Sequence, residues 1–150
     1  MQGYISIDIP TKPYIKAYIL HRMGQQPVMT TRSIIGHKLY DLLMHNTNEF
    51  GNQPLNSMYT AKIRVYIPIA TFKQRGANLN ITNTRNLNTF IEVKIKDRFH
   101  ELMDEALEVY PNFMQNLPGI RKKLGIDIEA WSDDSMKKDY YRYRKKTVPF

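Results

Sequence analysis

A chain of 150 residues that is 42% hydrophobic, with a net charge of +8, can bury a core and is not an unfolded polyelectrolyte. It has no cysteine, which excludes disulfides and thiolate metal centres and fits a reducing compartment. No apolar run approaches the roughly 18 residues of a membrane span, and MQGYISIDIP does not read as a signal peptide, so no membrane partner is expected. Surplus positive charge favours polyanionic partners.

In YISIDI, residues 4–9, apolar and polar residues alternate as in a short strand. TKPYIKAYILHRMG reads as a helix with Thr11 as its N-cap, Pro13 in the first turn and Gly24 as terminator. TRSIIGHKLYDLLMHN reads as a second helix with Ile35, Leu39, Leu42 and Leu43 on its inner side, and residues 46–58 read as loop. In YTAKIRVYIPI, Tyr59, Ala61, Ile63, Val65, Ile67 and Ile69 share one strand face, and Lys62, Arg64 and Tyr66 share the other. Pro68 suggests an edge position.

FKQRGANLNITNTRN, residues 72–86, reads as polar loop before a long helix that runs to about Tyr110. On that helix Ile91, Ile95, Phe99, Leu102, Met103, Ala106, Val109 and Tyr110 cover an arc of about 120°. Asp97, Glu101, Asp104, Glu105 and Glu108 share the opposite side. PGIRKKLG predicts a short helix opened by Pro118 and stopped by Gly125, with Ile126, Ile128 and Trp131 as core anchors beyond it. Ser132 or Asp133 then caps a final helix.

That final stretch, SDDSMKKDYYRYRKK, holds six basic residues and three tyrosines. At 100° per residue, Met136, Tyr140 and Tyr143 lie within about 60° of one another and face inward. Tyr141 falls within the arc of Lys137, Lys138, Arg142, Arg144 and Lys145; together with Lys146 these offer cations for phosphates and a ring for sugar or base contact. A short helix, a connection containing glycine and a basic amphipathic helix together resemble a helix-turn-helix, with the long helix as third member of a tri-helical unit. Arg121, Lys122, Lys123, Lys62 and Arg64 form a secondary basic patch. Lys12, Lys16, Arg22, Arg32 and Lys38 decorate the first two helices, either widening a phosphate track or keeping the protein soluble.

Charge is unevenly placed. Residues 91–120 carry three basic and six acidic residues, whereas residues 121–150 carry nine basic and five acidic. The positive ends flank an acidic stretch, the pattern of a binding face with a solvated back.

No catalytic constellation is recognisable, so no enzyme activity and no cofactor are expected. HELMD begins like a zinc-protease helix, but Asp104 stands where the second histidine belongs. Glu92 and Lys94 form an acid-x-lysine pair, yet on a helix their side chains diverge by about 200°. There is no glycine-rich phosphate loop and no Gly-x-Ser-x-Gly elbow.

IPTKPYIKAYILHRMG, VYIPIATFKQRGANLNITNTRNLNTFIEVKIKDRF and LGIDIEAWSDDSMKKDYYRYRKK in this order resemble a group of short proteins of bacterial phages and integrative elements. The closing Lys-Lys-Asp-Tyr-Tyr-Arg is the most specific part. The resemblance implies a small DNA-associated protein of a mobile element in the cytoplasm of a bacterial host, and carries no defined chemistry. The expectation is an α+β, mostly helical single domain over residues 1–150. Its subdomains would be 1–80 (β-α-α-β) and 83–150, with a small two-stranded sheet and a C-terminal helix-turn-helix-like unit. It would bind DNA, duplex rather than single-stranded, without catalysis. No small-molecule substrate is expected, and a homo-oligomer in which the strands pair across subunits is one expected arrangement. The rivals are an adaptor that docks on an acidic protein in a virion or replication complex, and a nuclease or recombinase accessory.

Overall fold

The computed structural model describes residues 2–46, 55 and 57–147; most of the loop expected at 46–58 lies outside them. The fold is α+β and mostly helical, with one two-stranded antiparallel sheet. Strand β1 (Tyr4–Thr11) pairs with β2 (Ala61–Pro68) in a register that sets Tyr4 opposite Pro68 and Thr11 opposite Ala61. The period-two pattern sorts the faces: Ile7, Ile9, Ile63, Val65 and Ile67 are buried, while Ser6, Asp8, Lys62 and Arg64 are exposed. Residues 27–29 partly cover the outer edge of β2. Met29 N–H donates to the Tyr66 carbonyl at 2.8 Å, and Tyr66 N–H donates to Pro27 at 2.9 Å. The small sheet is thus supported within the chain.

Helix α1 (Pro13–Met23) has proline in its first turn, as expected, but its N-cap position is Lys12. Thr11 instead ends β1, buried, and its hydroxyl donates to Asn88. Helix α2 (Ile34–Leu42) is capped by Ser33, whose side chain accepts from Gly36 N–H at 2.9 Å. A Cβ on Gly36 would lie 2.1 Å from the Thr30 carbonyl oxygen, so this turn closes only on glycine.

Two further helices replace the polar loop expected at 72–86: α3 (Ile69–Arg75) and the first turns of α4 (Ile81–Val109). Ile69 accordingly opens a helix and is exposed rather than closing a strand. The asparagines and threonines that suggest a loop satisfy one another along the helix. Asn80 caps α4 by accepting from Asn83 N–H at 2.7 Å, and the Thr84 hydroxyl donates to the Asn80 carbonyl at 2.9 Å. Asn88, buried, donates to the carbonyls of Pro10 and Thr84, each at 2.9 Å. Polar residues therefore sit on the buried side of the first three turns.

Helix α4 has 29 residues, a length of roughly 44 Å. Ile91, Ile95, Phe99, Leu102 and Met103 are buried along it, as the periodicity predicts, and Leu87 joins them one turn earlier. Val109 and Tyr110 are not, because the helix outruns the core; Val109 is 87% exposed. Helix α5 (Phe113–Leu124) starts a turn earlier than its proline suggests, capped by Asn112, with Pro118 inside on the exposed side. Gly125 ends it in the left-handed region at φ 73°, where a Cβ would meet the His21 side chain at 2.2 Å. Ile126 and Trp131 anchor residues 125–132, whereas Ile128 is 57% exposed. Ser132 accepts from Ser135 N–H at 3.1 Å and opens α6 (Asp133–Thr147). The buried side chains of both halves of the chain join in one cluster.

Asn88 ties the end of β1 to α4. Replacing it with alanine strands the Thr11 hydroxyl and the Pro10 carbonyl, each at a cost of about 1–3 kcal/mol. Thermal unfolding of Asn88→Ala should fall by roughly 2–4 °C for every kcal/mol lost; an unchanged melting temperature would contradict this role.

Candidate nucleic-acid interface

Helix α6 is clamped to α4 by aromatic and polar contacts. Met136 and Tyr140 are buried and Tyr143 is half-buried, as the helical wheel predicts. The Tyr140 and Tyr143 hydroxyls both donate to Asp104, each at 2.5 Å, and Arg144 lies 3.7 Å from the same carboxylate. Asp104 thus belongs to the packed interface and not to the solvated acidic side expected of it. His100 stacks on Tyr143 at 4.1 Å between centroids, and its Nε2 lies 2.6 Å from Asp139 Oδ2. Burial, then the bond to Asp104, pushes the Tyr140 hydroxyl above its ordinary range. The Asp104 bond itself is the main cause for Tyr143.

With that face occupied, Lys137, Lys138, Tyr141, Arg142, Arg144, Lys145 and Lys146 are all exposed. Tyr141 rests 6.1 Å from the Phe113 ring and has the Lys137 ammonium 5.9 Å from its own. Lys138 pairs with Asp134 at 3.0 Å, an exposed pair of little energetic weight. Among the described residues, Arg142, Lys145 and Lys146 have no ion-pair partner.

One flank of α6 borders a cleft of about 300 Å³ that reaches the start of α1 and the middle of α4. Its floor is a charge network. Lys12 Nζ lies 2.7 Å from Glu92 Oε2, and the Tyr14 hydroxyl donates to the same oxygen. Lys96 Nζ lies 3.4 Å from Glu92 Oε1 and 3.5 Å from Asp139 Oδ1. Burial opposes the charge on Glu92, but the bonds from Lys12 and Tyr14 and the nearby Lys96 outweigh it and hold the carboxyl below its ordinary range. Burial and the bond to Glu92 push the Tyr14 hydroxyl far above the tyrosine range. Trp131 stacks on Tyr14 at 4.8 Å and meets Phe99 edge-on at 5.4 Å.

The secondary patch does not gather here. Arg121 is structural: it donates to the Asp127 carbonyl at 3.0 Å and to Asp133 at 2.6 Å, fixing residues 125–132. Arg64 is paired in bidentate fashion with Asp8, at 2.8 and 3.2 Å, on the outer face of the sheet that Lys62 shares. Lys122 and Lys123 are exposed on α5. Of the first-helix group, Arg22 covers the Tyr18 ring and Lys38 the Phe90 ring, and Lys12 lines the cleft together with Lys96. Sequence reasoning missed Lys96; its spacing of four from Glu92 is the local signal.

His100 and Asp104 turn to different partners, and among the described residues no group of three His, Asp or Glu side chains could hold a metal ion. No described helix is long and apolar enough to cross a membrane. No protein-family model, curated protein or solved structure matches the chain.

Tyr14 and Tyr140 hold their protons more tightly when folded, so their contribution to stability is complete below the ordinary value of 10.0 and is lost as pH rises beyond it. Glu92 acts oppositely: its contribution is present above 4.5 and is lost as pH falls through the lower folded value. A near-ultraviolet titration of tyrosinate should show late-ionising groups in the folded protein that titrate normally in denaturant. Superimposable curves would contradict the network.

Proposed function

We propose that this is a non-catalytic DNA-binding protein that holds phosphates with the outward face of α6. The observation that carries the reading is the division of labour on that helix: aromatic and aliphatic residues bind α4, and cations face water. Nothing in the packing requires so many cations in one place, whereas a polyanion does. The order α4, α5, residues 125–132 and α6 supports a helix-turn-helix-like use of α6 on duplex DNA, with Tyr141 and Arg142 placed for groove contact. Residues 125–132 make a longer connection than the roughly three to four residues of that motif, so the proposal rests on phosphate contact. The resemblance to proteins of phages and integrative elements gives it a setting, the cytoplasm of a bacterial host.

A second reading, an adaptor for an acidic protein partner, is favoured by one surface. Ile34, 65% exposed, stands near Phe90, whose ring carries Lys38 at 5.5 Å and Lys94 at 5.3 Å. Apolar surface edged by cations suits an acidic amphipathic segment. Nucleic acid that stays with the protein through purification would favour DNA.

Lys137 and Lys145 lie outside the cleft and make no ion pair with described residues. Lys137→Ala/Lys145→Ala should weaken duplex binding about tenfold or more, uniformly across sequences, without moving the melting temperature. Undiminished binding would overturn the assignment to α6.

A further inference from the structure

We infer that the cleft between the start of α1, α4 and α6 is a binding site for a phosphomonoester, the terminal phosphate of a nucleotide or of a nucleic-acid strand. The inference does not depend on Lys137, Tyr141 and Lys145, the part of the proposed duplex-binding face that lies outside the cleft; Lys138 and Arg142 border both.

Charge is the first argument. Four cations, Lys12, Lys96, Lys138 and Arg142, line the cleft together with two carboxylates, Glu92 and Asp139, an excess of two positive charges (4 − 2). Lys12 and Lys96 offset the two carboxylates from within: Glu92 is bonded by Lys12, Lys96 and Tyr14, and Asp139 lies beside Lys96 and His100. The two cations left over are Lys138 and Arg142, one turn apart on α6. Arg142 has no partner among the described residues, and the partner of Lys138, Asp134, is exposed and does not line the cleft. A phosphomonoester carries about −1.5 to −2 at neutral pH, which matches the excess. A phosphodiester inside a strand carries half of that.

Shape and donors agree with charge. A volume of about 300 Å³ stands at the small end of ligand sites. Arg142 can offer a forked pair of donors to phosphate oxygens. At the cleft wall the Ser132 and Ser135 hydroxyls, 2.9 Å apart, add further polar groups. The floor is pre-formed, because Tyr14 and Trp131 are stacked and Glu92 is bonded from three sides.

Trp131 is the one tryptophan of the sequence and lines the cleft, so its emission reports occupancy. The full chain is titrated with ribose 5-phosphate and, separately, with ribose. Short single-stranded oligonucleotides bearing a 5′-phosphate or a 5′-hydroxyl complete the set. The phosphorylated member of each pair should give a saturable change and the other should give none. Tighter binding of the phosphorylated oligonucleotide than of ribose 5-phosphate identifies a strand end as the ligand; equal binding identifies a free sugar or nucleoside phosphate. Ser135→Phe, which fills the cleft and removes no cation, and Arg142→Gln should each weaken the response about tenfold or more. Equal responses to ribose and ribose 5-phosphate would overturn the inference, as would full binding by a folded Ser135→Phe protein. Duplex binding by Ser135→Phe should stay at the wild-type level, and Lys137→Ala/Lys145→Ala should still bind ribose 5-phosphate. Failure of the cleft and failure of the α6 face therefore give different results.

Discussion

A row of polar side chains on α4 decides where both ends of the chain come to rest. Glu92, Lys96 and His100 follow one another at single-turn spacing, half-buried. A carboxylate in that position needs partners, because an unpaired buried charge is strongly destabilising. Lys12 and Tyr14 arrive from the beginning of the chain, and Asp139 from the end. Those contacts orient α6, and its remaining surface faces water. The distribution of charge on the outside is thus a consequence of how charge is neutralised underneath.

Tyrosine serves both sides of this arrangement. Tyr140 and Tyr143 bury their rings beside Phe99 and His100 and place their hydroxyls on Asp104. That leaves Tyr141 as the aromatic residue of α6 that faces outward, 49% exposed and beside Lys137. A helix crowded with lysine, arginine and tyrosine is therefore two surfaces: one holds the fold together, the other is available to a partner. Arg121 and Arg64 show that cation count overstates the available surface, since each is bound to a carboxylate nearby.

Much of this was legible in the sequence. Alternation located both strands, and the apolar spacing from Ile91 to Met103 located the buried stripe of α4. The wheel of the last helix separated Met136, Tyr140 and Tyr143 from the cations. Residues 72–86 were misread because Asn80, Thr84 and Asn88 bond locally and across to β1, a tertiary satisfaction that composition does not reveal. Val109, Tyr110 and Ile128 looked like core residues because periodicity does not say where the core ends. Asp104 looked solvated because its partners lie 36 and 39 positions away. The cleft was hidden for the same reason: Lys12 and Glu92 are 80 residues apart and meet only in the fold.

The central claim is that α6 presents its cations to the phosphates of DNA. It is tested most directly by fluorescence anisotropy with labelled duplex and single-stranded oligonucleotides of random sequence, between about 50 and 200 mM salt. Neutralisation of about six phosphates predicts a slope of log affinity against log salt near −5 for duplex, with weaker dependence for single strands. Binding that ignores salt, or no binding at the lower concentration, would contradict it and turn attention to an acidic protein partner.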